Sequence, residues 1–168
     1  MNTLVIKPSD VTTDFLKMIY INQPWKVIDQ IVTNEELMQH IQMSDRVVML
    51  GHGTPSGLLG FGGYVIDSSF GEILKTKTCV SIWCNADQYC FSHGIKGLQT
   101  GMIVSELDEA VLFDLPAEQG LIDESNMLFS LIVKDHLWKR NGAELIRREY
   151  DSKDNPIIQF NRRNIHYR

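Results

Sequence analysis

The sequence predicts an α/β protein, a three-layer sandwich built on a mostly parallel central sheet, and three observations predict it. Two short hydrophobic runs, Arg46-Val47-Val48-Met49-Leu50 and Thr78-Cys79-Val80-Ser81-Ile82-Trp83, have the length and continuity of strands covered on both faces. Segments with helical spacing alternate with strand-like runs, and the connections are short. The chain has 168 residues, enough for one domain with a substantial core and too few for two ordinary ones.

Taken in order, Thr3 to Lys7 reads as a short strand ended by Pro8-Ser9-Asp10. Val11 to Tyr20 reads as a helix with Phe15, Met18 and Ile19 on its apolar stripe, and Trp25 to Ile28 as a second short strand. Thr33 followed three residues later by Glu36 is a capping-box signature, so a helix is expected from Asn34 to about Gln42. The strand at Arg46–Leu50 runs into the loop Gly51-His52-Gly53-Thr54-Pro55-Ser56-Gly57. A glycine-punctuated hairpin is expected from Leu58 to Asp67, and then a helix opened by Ser68 or Ser69 and ending near Lys75.

After the second core strand, Gly94, Gly97 and Gly101 interrupt regular structure until a strand at Met102-Ile103-Val104, and Ser92-His93-Gly94 reads as loop. Glu109–Phe113 and Asp123–Lys139 read as helices. Pro156-Ile157-Ile158-Gln159-Phe160 reads as a late strand, with a basic polar tail at about 161–168. No repeat, low-complexity tract or linker divides the chain.

Composition narrows the class. With 43% hydrophobic and 22% charged residues the chain matches ordinary globular proteins and excludes collagen-like, fibrous and disordered chains. The N-terminus lacks a basic segment followed by an apolar one, and no apolar run approaches membrane length, so a cytoplasmic protein that meets no membrane is expected. Cys79, Cys84 and Cys90 are odd in number and close together, which argues against a disulfide framework. A net charge of -5 disfavours nucleic acid as a partner. The charge is uneven: no Lys or Arg lies between Lys96 and Lys134, a stretch that holds Glu106, Asp108, Glu109, Asp114, Glu118, Asp123 and Glu124. The basic end, with Arg147, Arg148, Arg162, Arg163 and Arg168, is read as a solvated face or a contact with that acidic stretch.

In open α/β sheets sites form beyond the carboxyl ends of the strands. If the two core strands are parallel neighbours, His52 and Cys84 emerge on one rim. A thiolate attacks carbonyl carbon, and a nearby imidazole can take the thiol proton and return it to a leaving amine. Gly51 and Gly53 let the backbone pass close to a substrate, and the Gly53 amide, with that of Cys84, is suited to an oxyanion.

The order strand, Gly51-His52-Gly53, hairpin, helix and strand ending in Cys84 resembles the cysteine peptidase group of caspases, legumain, gingipains, clostripain and separase. That resemblance spans roughly Thr3 to Ala110. It implies a caspase-like fold, His52 as catalytic histidine, Cys84 as nucleophile, Gly53 as an oxyanion-hole glycine, and a peptide or protein substrate. Group members read one substrate side chain in a pocket near the nucleophile; here Asp87, Glu106 or Asp108 would favour a basic one, and Trp83 would wall the pocket. The His52–Cys84 spacing is short for the group, and Asn85 stands where caspases have glutamine or arginine before glycine.

Other readings stay open. The same fold can serve as an inactive binding or regulatory module, with His52 and Cys84 structural. Cys79, Cys84, Cys90 and His93 offer zinc ligand types, but their spacing lacks the paired knuckles of structural zinc sites. No phosphate-binding glycine motif is present, so no organic cofactor or metal is implied. His136 falls on the apolar side of its helix and reads as a packed, hydrogen-bonded core residue.

Overall fold

The computed structural model describes all 168 residues. In chain order the elements are β1 (Thr3–Ile6), a 3-10 helix (Val11–Ile19), β2 (Lys26–Ile28), α1 (Asn34–Gln42), β3 (Arg46–Leu50), β4 (Gly53–Thr54), β5 (Gly57–Gly60) and β6 (Gly63–Ile66). A 3-10 turn (Ser68–Phe70) then runs into α2 (Gly71–Leu74), followed by β7 (Thr78–Ile82), α3 (Ala86–His93) and β8 (Gly97–Thr100). The chain finishes with α4 (Leu107–Leu112), α5 (Gln119–His136), α6 (Gly142–Glu149), α7 (Pro156–Arg163) and β9 (Ile165–Tyr167).

Six strands form the central sheet in the order β2-β1-β3-β7-β8-β9, and β4-β5-β6 form a small separate sheet. All pairings in the central sheet are parallel except β8 with β9. The strands are apolar throughout because both faces are covered. Val5, Val48, Leu50, Val80 and Ile82 pack on one side with residues of α5, α6 and the 3-10 helix. Leu4, Ile6, Val47, Met49 and Cys79 pack on the other with α1, α2 and α3. This alternation is the period of two expected of a strand, with apolar residues needed at every position. No helix is long and apolar enough to cross a membrane.

The expected capping box of α1 is present, with the Glu36 amide donating to Thr33 Oγ1 at 3.2 Å and the Thr33 amide donating to Glu36 at 2.9 Å. Asp67, rather than a serine, caps the turn before α2, accepting from the Ser69 amide at 2.9 Å. The segment read as loop before Leu58 contributes β4 to the small sheet.

Four sequence expectations need correction. His93 is the last residue of α3, and its ring is tilted against Tyr89 with centroids 4.5 Å apart. The strand expected at Met102–Val104 is instead Gly97–Thr100. Its first glycine has φ +133 and stands where a Cβ would be 1.8 Å from the Cys79 carbonyl oxygen, so here glycine permits strand pairing rather than breaking it. The β-branched run at Pro156 is α7: Asn155 caps it by accepting from the Ile157 and Ile158 amides at 2.9 and 3.3 Å, with Pro156 in the first turn. The segment 161–168 is not a tail, since β9 closes the sheet and the Gly97 and Arg168 amides exchange hydrogen bonds with each other's carbonyls. Its Arg162 pairs with Asp151, outside the acidic stretch between Lys96 and Lys134.

Candidate functional site

β3 and β7 are parallel neighbours in register, with Leu50 opposite Ile82. His52 and Cys84 each lie two residues beyond that pair, so both leave the same sheet rim at matching height. The Gly51 amide donates to the Ile82 carbonyl at 3.0 Å, extending the pairing to the last residue before His52. On the other side the Thr100 hydroxyl donates to the Trp83 carbonyl at 2.9 Å and accepts from its amide at 3.1 Å, fixing the turn that presents Cys84. Asn85 then adopts a left-handed conformation, φ 64, a geometry asparagine tolerates better than most residues.

The polar contacts of the His52 ring are all at Nε2. Thr12 Oγ1 lies 2.7 Å away, Glu106 Oε1 3.1 Å and Asp10 Oδ2 3.8 Å. Thr12 is held by Asp10, whose Oδ1 accepts from both the Thr12 amide and hydroxyl at 2.9 Å. Those bonds, the backbone one foremost, lower the Asp10 carboxyl below its ordinary range, with smaller help from His52 and Lys7. A Thr12 hydroxyl that donates to Asp10 accepts from Nε2–H, so Nδ1 is the basic nitrogen of the neutral ring. Lys7, fully buried at the end of β1, anchors this corner by donating to the Asp10 carbonyl at 3.1 Å and to Asp14 at 3.3 Å.

Cys84 makes no hydrogen bond to His52, Thr12 or Asp10. Its thiol donates to the Ile103 carbonyl at 3.5 Å and lies 3.8 Å from Glu109 Oε1. Burial pushes the thiol up to about 11, and the Glu109 and Glu106 carboxylates add to it. Glu109 is itself fixed, its Oε2 accepting from the Ser105 and Glu106 amides at 2.7 and 3.2 Å. The loop between β8 and α4 is clamped from behind by buried Asn161, which accepts from the Val104 amide at 2.7 Å and donates to its carbonyl at 2.8 Å.

His52 and Cys84 line one narrow cavity of about 20 Å³ with Trp83, Ile103, Ser105 and Phe129, among others. That volume holds about one water molecule. Beside it, sharing Phe15 and Ser105, runs an open groove of about 820 Å³. The groove offers apolar Val11, Phe15, Met18, Leu107 and Met127, and acidic Glu106, Asp108 and Asp123, with no Lys or Arg among its lining residues.

The sequence-expected residues divide. His52, Cys84 and Glu106 come together at the rim. Trp83 borders the narrow cavity but is a core residue, 2% exposed, with its indole donating to the Thr54 carbonyl at 3.0 Å. Gly53 opens β4 opposite Leu58 and makes room for that indole, since a Cβ there would be 2.0 Å from Trp83 Cδ1. Asp87 belongs to a separate cleft with Gln99, His166 and Arg168. One of its oxygens is buried without a partner. Cys79 and Cys90 are buried in the core, where desolvation raises both thiols, and neither joins His93 in a ligand cluster. His136 is buried between Glu149 and Lys139.

Asp10, Thr12, Glu109 and Asn161 were not singled out by sequence. Asp10 and the Glu106–Glu109 pair carried legible capping signals; nothing in the sequence marked the Asn161 clamp. The sequence matches no protein-family model and no curated protein.

Proposed function

We propose that this chain is a caspase-like, cysteine-dependent hydrolase of peptide substrates, with Cys84 as nucleophile and His52 as base. The observation that carries this reading is the exit of both residues from adjacent parallel strands, two positions past the Leu50–Ile82 pair, into one cavity. The hairpin sheet and short helix between them follow the order seen in that peptidase group.

With the thiol raised to about 11, Cys84 is not a preformed thiolate at neutral pH. His52 therefore takes the thiol proton as sulfur attacks the substrate carbonyl, and the imidazolium gives it to the leaving amine as the C–N bond breaks. Water, deprotonated by His52, then cleaves the thioester to release the acid and restore the thiol. The Gly53 and Cys84 amides are the candidate oxyanion donors. A peptide occupies the open groove, where Glu106 and Asp108 favour a basic side chain.

A second reading rests on the same thiol: a neutral Cys84 hydrogen-bonded to Ile103 also suits a non-catalytic binding or regulatory module. Capture by electrophilic peptides, read by intact mass, separates the two. A catalytic pair gives one adduct on Cys84 that Cys84→Ala abolishes and His52→Gln slows by about 100-fold, the lower end of general-base contributions. An adduct that forms equally well in His52→Gln, or none at all, leaves the binding module standing.

A further inference from the structure

We infer that His52, Glu106 and Glu109 form a site for a divalent transition-metal ion, with zinc the best match, and that the bound ion switches off His52 as a base. One donor atom from each lies within 4.8 Å of the others. The three come from two places in the chain: His52 lies two residues past the end of β3, and Glu106 and Glu109 are the N-cap and third residue of α4.

The geometry is close to what an ion needs. Zinc bonds of about 2.0–2.1 Å in a tetrahedral shell put neighbouring donors about 3.3 Å apart. His52 Nε2 and Glu106 Oε1 are already separated by 3.1 Å. The two backbone amides on Glu109 Oε2 fix that carboxylate, the kind of outer support that ligands in metal sites receive, and the ion takes Oε1 in place of its long contact with the Cys84 thiol at 3.8 Å.

Charge points the same way. Neither carboxylate has a Lys or Arg partner, and the only ion pair either makes is that of Glu106 with His52. A neutral imidazole thus leaves two close negative charges without a cation. One nitrogen and two oxygens suit zinc better than magnesium or calcium, which take oxygen ligands. Three protein ligands also leave a fourth position open.

The consequence follows from proton bookkeeping. Binding through Nε2 displaces the proton held toward Thr12 and places the ring's one remaining proton on Nδ1. Neither nitrogen can then accept the Cys84 proton. The ion site itself does not depend on Cys84 being catalytic; only the switching does.

Equilibrium dialysis of the chelator-stripped full chain against zinc chloride, with elemental analysis, tests the site. One zinc per chain at micromolar concentration is expected, with millimolar magnesium failing to compete. Zinc should raise the melting temperature. Glu109→Gln and His52→Gln should each weaken binding by about 10-fold or more, and their metal-free melting curves report whether they fold. Absorption of cobalt bound to the wild-type chain gives a readout that needs no variant, and tetrahedral d–d bands are expected. No zinc retained, zinc held equally by both variants, or octahedral cobalt would overturn the site. Peptide turnover that zinc leaves unchanged overturns the switch while sparing the hydrolase; zinc bound by a chain that turns over no peptide overturns the hydrolase and the switch with it, and spares the site.

Discussion

The Thr12 hydroxyl bridges Asp10 and His52, with Nε2 at 2.7 Å and the Asp10 carboxylate at 2.9 Å. It sets which ring nitrogen carries the proton. Thr12→Val removes the bridge while keeping the shape. A net hydrogen bond of about 1 kcal/mol corresponds to a roughly fivefold fall in the rate of Cys84 acylation. The pH–rate profile should also move, and Thr12→Ser should restore both; equal rates and profiles in all three proteins would show that Thr12 does not orient the ring.

Asn161 should matter more for stability than its single side chain suggests. Asn161→Ala strands the buried Val104 amide and carbonyl together. Each unsatisfied group costs about 1–3 kcal/mol, so a loss of about 2–6 kcal/mol in urea unfolding is expected. Asn161→Asp keeps the acceptor but loses the donor, and should fall between alanine and wild type.

Gly53→Ala tests the packing of the rim. Its Cβ would collide with Trp83 Cδ1 at 2.0 Å and with the Gly57 carbonyl at 2.6 Å. Overpacking of this kind costs about 1–3 kcal/mol. Because the indole must shift to make room, tryptophan fluorescence in the native state should change along with the urea midpoint.

Stability should fall on the alkaline side. Burial raises Cys79 and holds Cys84 and Cys90 at about 11 and about 12, against about 8.5 for a free thiol. Folded pKa values above unfolded ones give stability that is complete below the unfolded pKa and lost as pH rises toward the folded one. Each thiol contributes up to about 1.4 kcal/mol per pH unit in that window. The urea midpoint should drop between about pH 8 and about pH 11, and Cys90→Ala should drop less.

The sheet was legible where one signal sufficed. Arg46–Leu50 and Thr78–Ile82 announce themselves by unbroken apolar runs, and α1 by its Thr33–Glu36 box. The misreadings arose where two signals competed. Gly97 looked like a breaker because the backbone it must accommodate, that of Cys79, lies 18 positions earlier in the sequence. Pro156–Phe160 read as a late strand, but the Asn155 side chain caps the segment as a helix. The exit of His52 and Cys84 onto one rim was readable because it depends on two strand ends. Thr12, Glu109 and Asn161 were not, because their roles come from side-chain contacts that only the folded chain creates.

The Asn161–Val104 clamp joins residues 57 positions apart. During synthesis on a ribosome, His52, Cys84, Glu106 and Glu109 all emerge well before Asn161 does. A nascent chain therefore carries these four rim residues while the loop that holds Glu106 and Glu109 lacks its anchor. Until α7 is complete the Val104 clamp cannot form, so a chain stalled before that point leaves the Val104 amide and carbonyl without this partner.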